Sequence, residues 1–490
     1  MKHDLVIVGG GVIGKAIALN LVKNKIKVLL IDPNVNNGIA SLAAGGMLGA
    51  FGEITHDKTS YMDQQELEFR IHSARMHPNW INQLENLSNN KIHHGKGTFI
   101  IGNASSKDDY RNIDFIEQKL LDYQEEYQIV NSKDIPGYKP NNKFEAYKSI
   151  FIPNEGYISS IDLLNSLNFA LEQSSFYENL EDLVIDVALD GYEKIIQTKS
   201  GMTIKANDII LCSGIGIRKI LEASNIDINV PVLLPGKGVS LVVETDDEFE
   251  FVTRTPNRDF AYGTHIVPRG QGKLYIGATN RISDTPGIND GATTGEINSL
   301  LHSVLHEINT DLRSNNVLEI KYGSRPVTID RFPLIGQTNI NGVYVATGTF
   351  RNGILMAPLV ADIMTDILLK REPKYTNPFS LNDRKVMLNE EVLSNLIDSG
   401  VKDLVSFIQE PTGSLPFNRQ NELNIFINTL LKMILLDNSP QNALISELKL
   451  LIQRYPMSEV IPQIYYMLQQ TTENKDQVSA NGPKTSVGNK

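Results

Sequence analysis

The stretch Leu5-Val6-Ile7-Val8-Gly9-Gly10-Gly11-Val12-Ile13-Gly14 decides the fold. Its first four residues are apolar and mostly β-branched, which suits a short strand buried on both faces. They run straight into a Gly-x-Gly-x-x-Gly turn, after which Ala16, Ile17, Leu19, Leu21 and Val22 recur at helical spacing. A second apolar run, Val28-Leu29-Leu30-Ile31, ends at Asp32. Strand, glycine turn, helix and a strand closed by an acid make the βαβ unit that binds dinucleotides. Gly9 permits the tight turn, and Gly11 lets the backbone approach a pyrophosphate seated on the positive end of the helix. Gly14 allows close packing of helix on strand. Asp32 can accept hydrogen bonds from ribose hydroxyls, which disfavours a 2′-phosphorylated cofactor.

The rest of the composition narrows the class. A chain of 490 residues predicts two to four folded units. A hydrophobic fraction of 41% with 36 Gly and 21 Pro is that of a globular protein and argues against wholesale disorder. The formal net charge of -11 disfavours nucleic acid and anionic membranes as partners. One cysteine, Cys212, excludes an internal disulfide framework and any multi-cysteine metal site. No HExxH, GxSxG or P-loop is present, so metal hydrolysis, serine hydrolysis and nucleoside-triphosphate chemistry have no support. The expectation is a cytoplasmic protein with no membrane span and no metal: Asp4 and the glycine break argue against a signal peptide at the N-terminus.

Three further segments bear on which dinucleotide is bound. Ala40-Ser41-Leu42-Ala43-Ala44-Gly45-Gly46-Met47-Leu48-Gly49-Ala50 is built almost wholly of small residues, which let a backbone lie against a flat ring. Asp208-Ile209-Ile210-Leu211-Cys212-Ser213-Gly214 reads as another apolar strand ending in a glycine turn. Gly342 to Pro358 reads as strand, turn at Gly348-Thr349-Phe350-Arg351-Asn352-Gly353, and then a helix from about Ile354 to Leu369. Such a helix would point its free N–H groups at an electron-rich partner.

These motifs resemble the D-amino-acid oxidase superfamily of FAD flavoproteins, and within it most closely the glycine oxidases. Further landmarks are Ile266-Val267-Pro268-Arg269, Ile276-Gly277-Ala278-Thr279, Ser324-Arg325-Pro326 and Phe350 to Leu355, all in the family's order over roughly residues 1–380. The resemblance implies an α/β architecture: a Rossmann-like FAD-binding domain interleaved with an antiparallel-sheet substrate domain, followed by a C-terminal α-helical extension. The expected boundaries are 1–90, 150–230 and 325–380 for the FAD domain, and 91–149 and 231–324 for the substrate domain. The resemblance places Val12 and Ile13 at the pyrophosphate and Asp32 and Pro33 near the ribose. It lays Ala40, Ser41, Gly45, Gly46 and Met47 along the dinucleotide and flavin, Val184 at the adenine, and Thr349, Phe350, Asn352, Gly353, Ile354 and Leu355 before the flavin ring. Related enzymes tether flavin through a cysteine, and the corresponding stretch from Arg325 to Asp330 has none, so FAD should be non-covalent.

On the substrate side, Val232 to Glu244 reads as a strand pair, and His265 to Arg269 with Lys273 to Ala278 as a hairpin about Gly270-Gln271-Gly272. Oxidising an amine by hydride transfer to flavin N5 needs no obligatory general base. An amino acid does need a partner for its carboxylate, and a guanidinium supplies two parallel hydrogen bonds. The resemblance assigns that role to Arg325, with Arg351 beside it. His265 stands where glycine oxidases carry a tyrosine, which puts glycine itself in doubt as the substrate. Tyr262 is near enough in sequence to substitute, although on a strand it would face the other side. His93-His94 reads as a solvated loop, and Glu66, Glu68, Arg70, His72 and Arg75 as the face of a helix starting near Tyr61.

The family pattern stops near residue 380. Residues 381–470 carry apolar positions at helical spacing and read as a helical appendage; 471–490, rich in Asn, Ser, Lys and Gly, read as a disordered tail. The expected activity is oxidation of a small amine or amino acid to an imine that hydrolyses to an oxo acid, with oxygen or another electron acceptor completing the cycle. By resemblance it would supply thiamin biosynthesis. Two rivals stay open: a dehydrogenase passing electrons to a protein partner on the C-terminal helices, and a flavin-holding scaffold subunit. A homo-oligomer is expected.

Overall fold

In the computed structural model the described residues are 2–381, apart from 36–37, 57, 104–106, 225, 227, 229, 232, 258–262, 283–290 and 329. The expected helical appendage, the expected tail and Tyr262 lie outside them.

The opening motif forms as its residues dictate. Lys2–Val8 is a strand whose last four residues are buried, and Val12–Lys23 is the helix that follows the turn. That strand pairs in parallel with Val28–Ile31 on one side and Thr203–Leu211 on the other. Tyr177–Leu180 and Val343–Thr347 extend the parallel ladder outward in each direction. Leu334–Gln337 and the antiparallel pair Val184–Asp190 and Glu193–Thr198 complete an eight-stranded sheet. Runs such as Val6-Ile7-Val8 and Ile209-Ile210-Leu211 are buried on both faces because helices cover the sheet. One face carries Val12–Lys23, Ser160–Glu172, Tyr61–Ser88 and Gly353–Leu368; the other is packed by Ile217 and Ile220 of Gly216–Ala223. Each such aliphatic side chain contributes about 1.5–3 kcal/mol on full burial.

A second, ten-stranded sheet is mostly antiparallel, running from the short strand Gly38–Ile39 to the edge strand Gln128–Val130. The reading of Val232 to Glu244 as two strands is corrected here. Leu233–Glu244 is one twelve-residue strand, and Pro235-Gly236-Lys237-Gly238 continues straight through it because Val317–Thr328 pairs along its whole length. The hairpin forms between His265–Pro268 and Lys273–Gly277. The strand Ala146–Ile158 belongs to this sheet and runs past residue 150. Gly38–Ile39, which follows the first βαβ unit in sequence, also joins this sheet, beside Gly323 and Ser324.

Tyr61–Ser88 begins with a reciprocal cap: Asp63 N–H donates to Ser60 Oγ (3.2 Å), and Ser60 N–H donates to Asp63 Oδ2 (3.0 Å). His72 and Arg75 lie on its exposed face, whereas Arg70 departs from that expectation and turns inward, 6% exposed. His93 is likewise half-buried and not solvated, its ring 5.5 Å from that of Tyr157. No helix among the described residues is long and apolar enough to cross a membrane.

Candidate active site and cofactor cradle

A cavity of about 420 Å³ opens where the parallel strands end: Val8-Gly9, Ile31-Asp32, Cys212-Ser213 and Ala346-Thr347 all border it. This is where an open α/β sheet presents its turns and helix N-termini. At Gly9 the backbone takes φ +109°, and a Cβ there would stand 2.5 Å from the Ser213 backbone, so only glycine fits. Gly10 N–H donates to Asp32 Oδ2 (2.6 Å) and Asn34 N–H to Asp32 Oδ1 (2.9 Å), which fixes the acid at the mouth of the turn. Val12 N–H donates to Ser41 Oγ (3.1 Å), tying the first helix to the small-residue segment.

That segment is held from the second sheet. Tyr275 donates its hydroxyl to Ala43 O (3.1 Å), and Arg269 Nη2 donates to Ala44 O and Gly45 O (3.1 Å each). Ile158 N–H donates to Gly46 O (2.8 Å). The backbone from Ala43 to Met47 therefore forms one fixed wall, and the turn from Thr349 to Gly353 forms another. Ser213 Oγ is buried at the same cavity with no hydrogen-bond partner among the described residues. A buried hydroxyl so placed is an open valence for a polar ligand. Backbone walls, a helix N-terminus, an acid at the strand end and this hydroxyl are a donor and acceptor set that fits a flavin dinucleotide.

At the other end the cavity is charged. Arg325 projects from Val317–Thr328, and the absent side chain of Gly238 on the neighbouring strand makes room for its guanidinium. Arg325 Nη1 donates to Thr279 O (3.0 Å) and Asn280 Oδ1 (3.2 Å), both uncharged acceptors. Burial, with Arg351 nearby, lowers its pKa to about 10, which leaves it cationic at neutral pH. Arg351 is engaged differently: Nη1 donates to Asn257 Oδ1 (2.9 Å), and Nη2 lies 3.0 Å from Glu53 Oε1. Arg254 Nη1 stands 3.6 Å from the same carboxylate oxygen. Burial alone would raise the Glu53 pKa, but the Arg351, Arg254 and Arg70 guanidiniums outweigh it and hold the carboxyl at about 2. His265 is pushed down to about 3 by burial and by Arg254, so its ring is neutral. Its Nδ1 is 2.8 Å from Gly263 O, and because a carbonyl only accepts, that nitrogen carries the proton.

A family model described as FAD dependent oxidoreductase (DAO) matches residues 4–367. The chain belongs to this family. FAD is its cofactor, and the protein is an FAD-dependent amino-acid oxidoreductase. The chain is 28% identical to a glycine oxidase of Geobacillus kaustophilus (strain HTA426) over 392 residues, covering 78% of this chain and 97% of the relative. It is 27% identical to a glycine oxidase of Bacillus subtilis (strain 168) over 377 residues, covering 76% and 94%. The crystal structure of the Geobacillus kaustophilus glycine oxidase superposes with a TM-score of 0.68 at 25% identity, covering 78% of this chain and 99% of that one. The expected FAD-domain architecture and recognition hold.

Of the residues singled out from sequence, Arg325, Arg351 and His265 line the cavity, as do Gly9, Gly11, Val12, Ile13, Asp32, Pro33, Ala40, Ser41, Gly45, Gly46, Met47, Val184, Gly214, Thr349, Phe350, Asn352, Gly353 and Ile354. Three stand behind the lining. Gly14 packs against the Gly9 carbonyl, Gly348 against Thr328, and Leu355 is buried with its carbonyl accepting from Ser73 Oγ (2.6 Å). Cys212 is buried and its thiol pKa is raised by that burial, which keeps it unreactive. The sequence reading missed Glu53, Arg254, Tyr275 and Gly238. Glu53 follows the small-residue segment by only a few positions, and an acid next to a flavin wall was the available signal. Arg254, on the three-residue strand Val252–Arg254, offered none.

Proposed function

We propose that this family member oxidises a small α-amino acid, of the glycine, sarcosine or D-amino-acid kind, to its imine, which water converts to the 2-oxo acid and ammonia or an amine. The observation that carries this reading is Arg325: a half-buried cation lining the cofactor cavity whose hydrogen-bond acceptors among the described residues are both uncharged. Among the described residues its hydrogen bonds go to Thr279 O and Asn280 Oδ1, and neither is a carboxylate. A substrate carboxylate would complete it through charge-assisted contacts of about 1.5–3 kcal/mol each.

Bound FAD supplies the two-electron acceptor, with peroxide as the second product when oxygen reoxidises it. The cofactor would be held by Gly9 to Ile13 and Asp32 at its nucleotide end, and by Ala43 to Met47 and Thr349 to Gly353 at its ring. Arg325 anchors and orients the substrate. Arg351 shapes the site from the Phe350 to Gly353 turn. His265, neutral and carrying its proton on Nδ1, offers the Nε2 lone pair to an amine N–H and does not hold a second positive charge near it. That favours the deprotonated amine from which oxidation proceeds.

An anaerobic screen of glycine, sarcosine and both alanine enantiomers against the flavin-loaded protein tests the reading. At least one should bleach the oxidised flavin absorbance, and a matching aerobic assay should yield peroxide. A yellow protein that none of these bleaches would sink it.

A further inference from the structure

The two pocket arginines are not equivalent. Among the described residues Arg325 donates to a carbonyl and an amide oxygen. Arg351 has both outer nitrogens engaged within the protein, Nη1 by Asn257 and Nη2 by Glu53. Glu53 lines the same cavity and is itself braced from behind by Arg254, whose side chain is 2% exposed. A carboxylate wedged between two guanidiniums, one of them deeply buried, does not swing away to admit a competitor. Its displacement would take from the buried Arg254 guanidinium the carboxylate that faces it.

We propose that Glu53 is a specificity-determining residue, an internal carboxylate that occupies Arg351 so that the pocket offers one free guanidinium and selects amino acids bearing one carboxylate over those bearing two. This rests on the assignment of Arg325 as the substrate anchor. Its chemistry is exclusion as much as attraction: a second substrate carboxylate would approach an oxygen already carrying negative charge. The amines it admits carry a single carboxylate and a small or uncharged remainder; aminodicarboxylates and iminodiacids are rejected.

The test compares acetate with malonate as ligands of the flavin-loaded protein, read by perturbation of the flavin absorbance and as competitive inhibition. In the native protein acetate should bind at least tenfold more tightly than malonate. Glu53→Gln frees Arg351, and the malonate-to-acetate affinity ratio should rise by about tenfold or more. The kcat/KM ratio of iminodiacetate to sarcosine should rise with it. Glu53→Asp retains the charge and should keep the native ratio, an outcome that loss of packing alone would not give. An unchanged ratio in a folded, yellow Glu53→Gln protein overturns the proposal. Should that variant not fold, the native protein decides, since malonate binding within threefold of acetate overturns it equally. If neither acid perturbs the flavin, the failure lies with Arg325 as anchor and the proposal falls with it.

Discussion

The nucleotide end and the reacting end of the cavity are built on opposite principles. At Gly9 to Gly14 and Asp32, recognition is made from the main chain: glycines that allow approach, a helix N-terminus, one acid, all within a single βαβ unit. At Arg325, Arg351, Glu53, Arg254 and His265, it is made from charged and aromatic side chains drawn from five separate stretches of sequence. The first end tolerates no added atoms. The second end pairs Arg351 and Arg254 with Glu53 and leaves Arg325 to uncharged acceptors. A cofactor that is the same in every turnover can be met by rigid backbone, whereas a substrate chosen among similar acids is sorted by how many charges the pocket has left unmatched.

Substitutions should separate the two ends. Gly9→Val has the largest expected effect, because its Cβ would strike the Ser213 backbone in a conformation that valine avoids. The purified variant should be colourless, with flavin content by absorbance as the measurement; a yellow Gly9→Val protein breaks the comparison at its first end. Arg325→Ala comes next. It should lose about a thousandfold in kcat/KM, as expected when two charge-assisted hydrogen bonds disappear, while flavin content stays at the native level. Loss of colour in that variant would mean the ends are not separable.

The smallest effect concerns Glu155, which stands behind Gly49 on the cavity wall and donates nothing, accepting instead from Phe51 N–H (2.7 Å). Burial raises its carboxyl to about 7, against the backbone N–H groups of Phe51 and Gly52 and the charge of Arg254. The folded state thus holds this proton more tightly than the unfolded chain, whose ordinary value is 4.5. The associated stability is complete below about 4.5 and is lost as pH rises through 7. Glu155→Gln should therefore gain up to about 3 kcal/mol over the native protein at pH 8 and nothing at pH 4, followed by thermal or urea unfolding. Parallel native and variant curves from pH 4 to 8 would show that this carboxyl carries no such cost.

The same contrast explains what the sequence reveals. Gly9 to Gly14, the hairpin about Gly270 to Gly272, and the strand–turn–helix around Gly348 are legible because covalent neighbours make them. The continuous strand Leu233–Glu244 is not, because Gly236 and Gly238 look like a turn until the partner strand Val317–Thr328 is paired to them. Their missing side chains serve the neighbouring Arg325 and Val327. Glu53, Arg254 and Arg70 escape sequence reading for a related reason. An isolated charge reads as a solvated surface group, and only the fold reveals that residues 53 and 254 neutralise each other in the interior.

The two-residue strand Gly38–Ile39 has a kinetic consequence. Its partners are Gly323 and Ser324, immediately before Arg325, so the rung that joins the small-residue wall to the substrate anchor closes a loop over most of the family region. The parallel strand Val343–Thr347 and the turn after it arrive later still. A chain emerging from the ribosome thus displays its glycine motif early and completes the cradle only once residue 353 has been made. Cofactor capture is consequently a late folding event, and the interval before it exposes unpaired strand edges that long-range topology is slow to close.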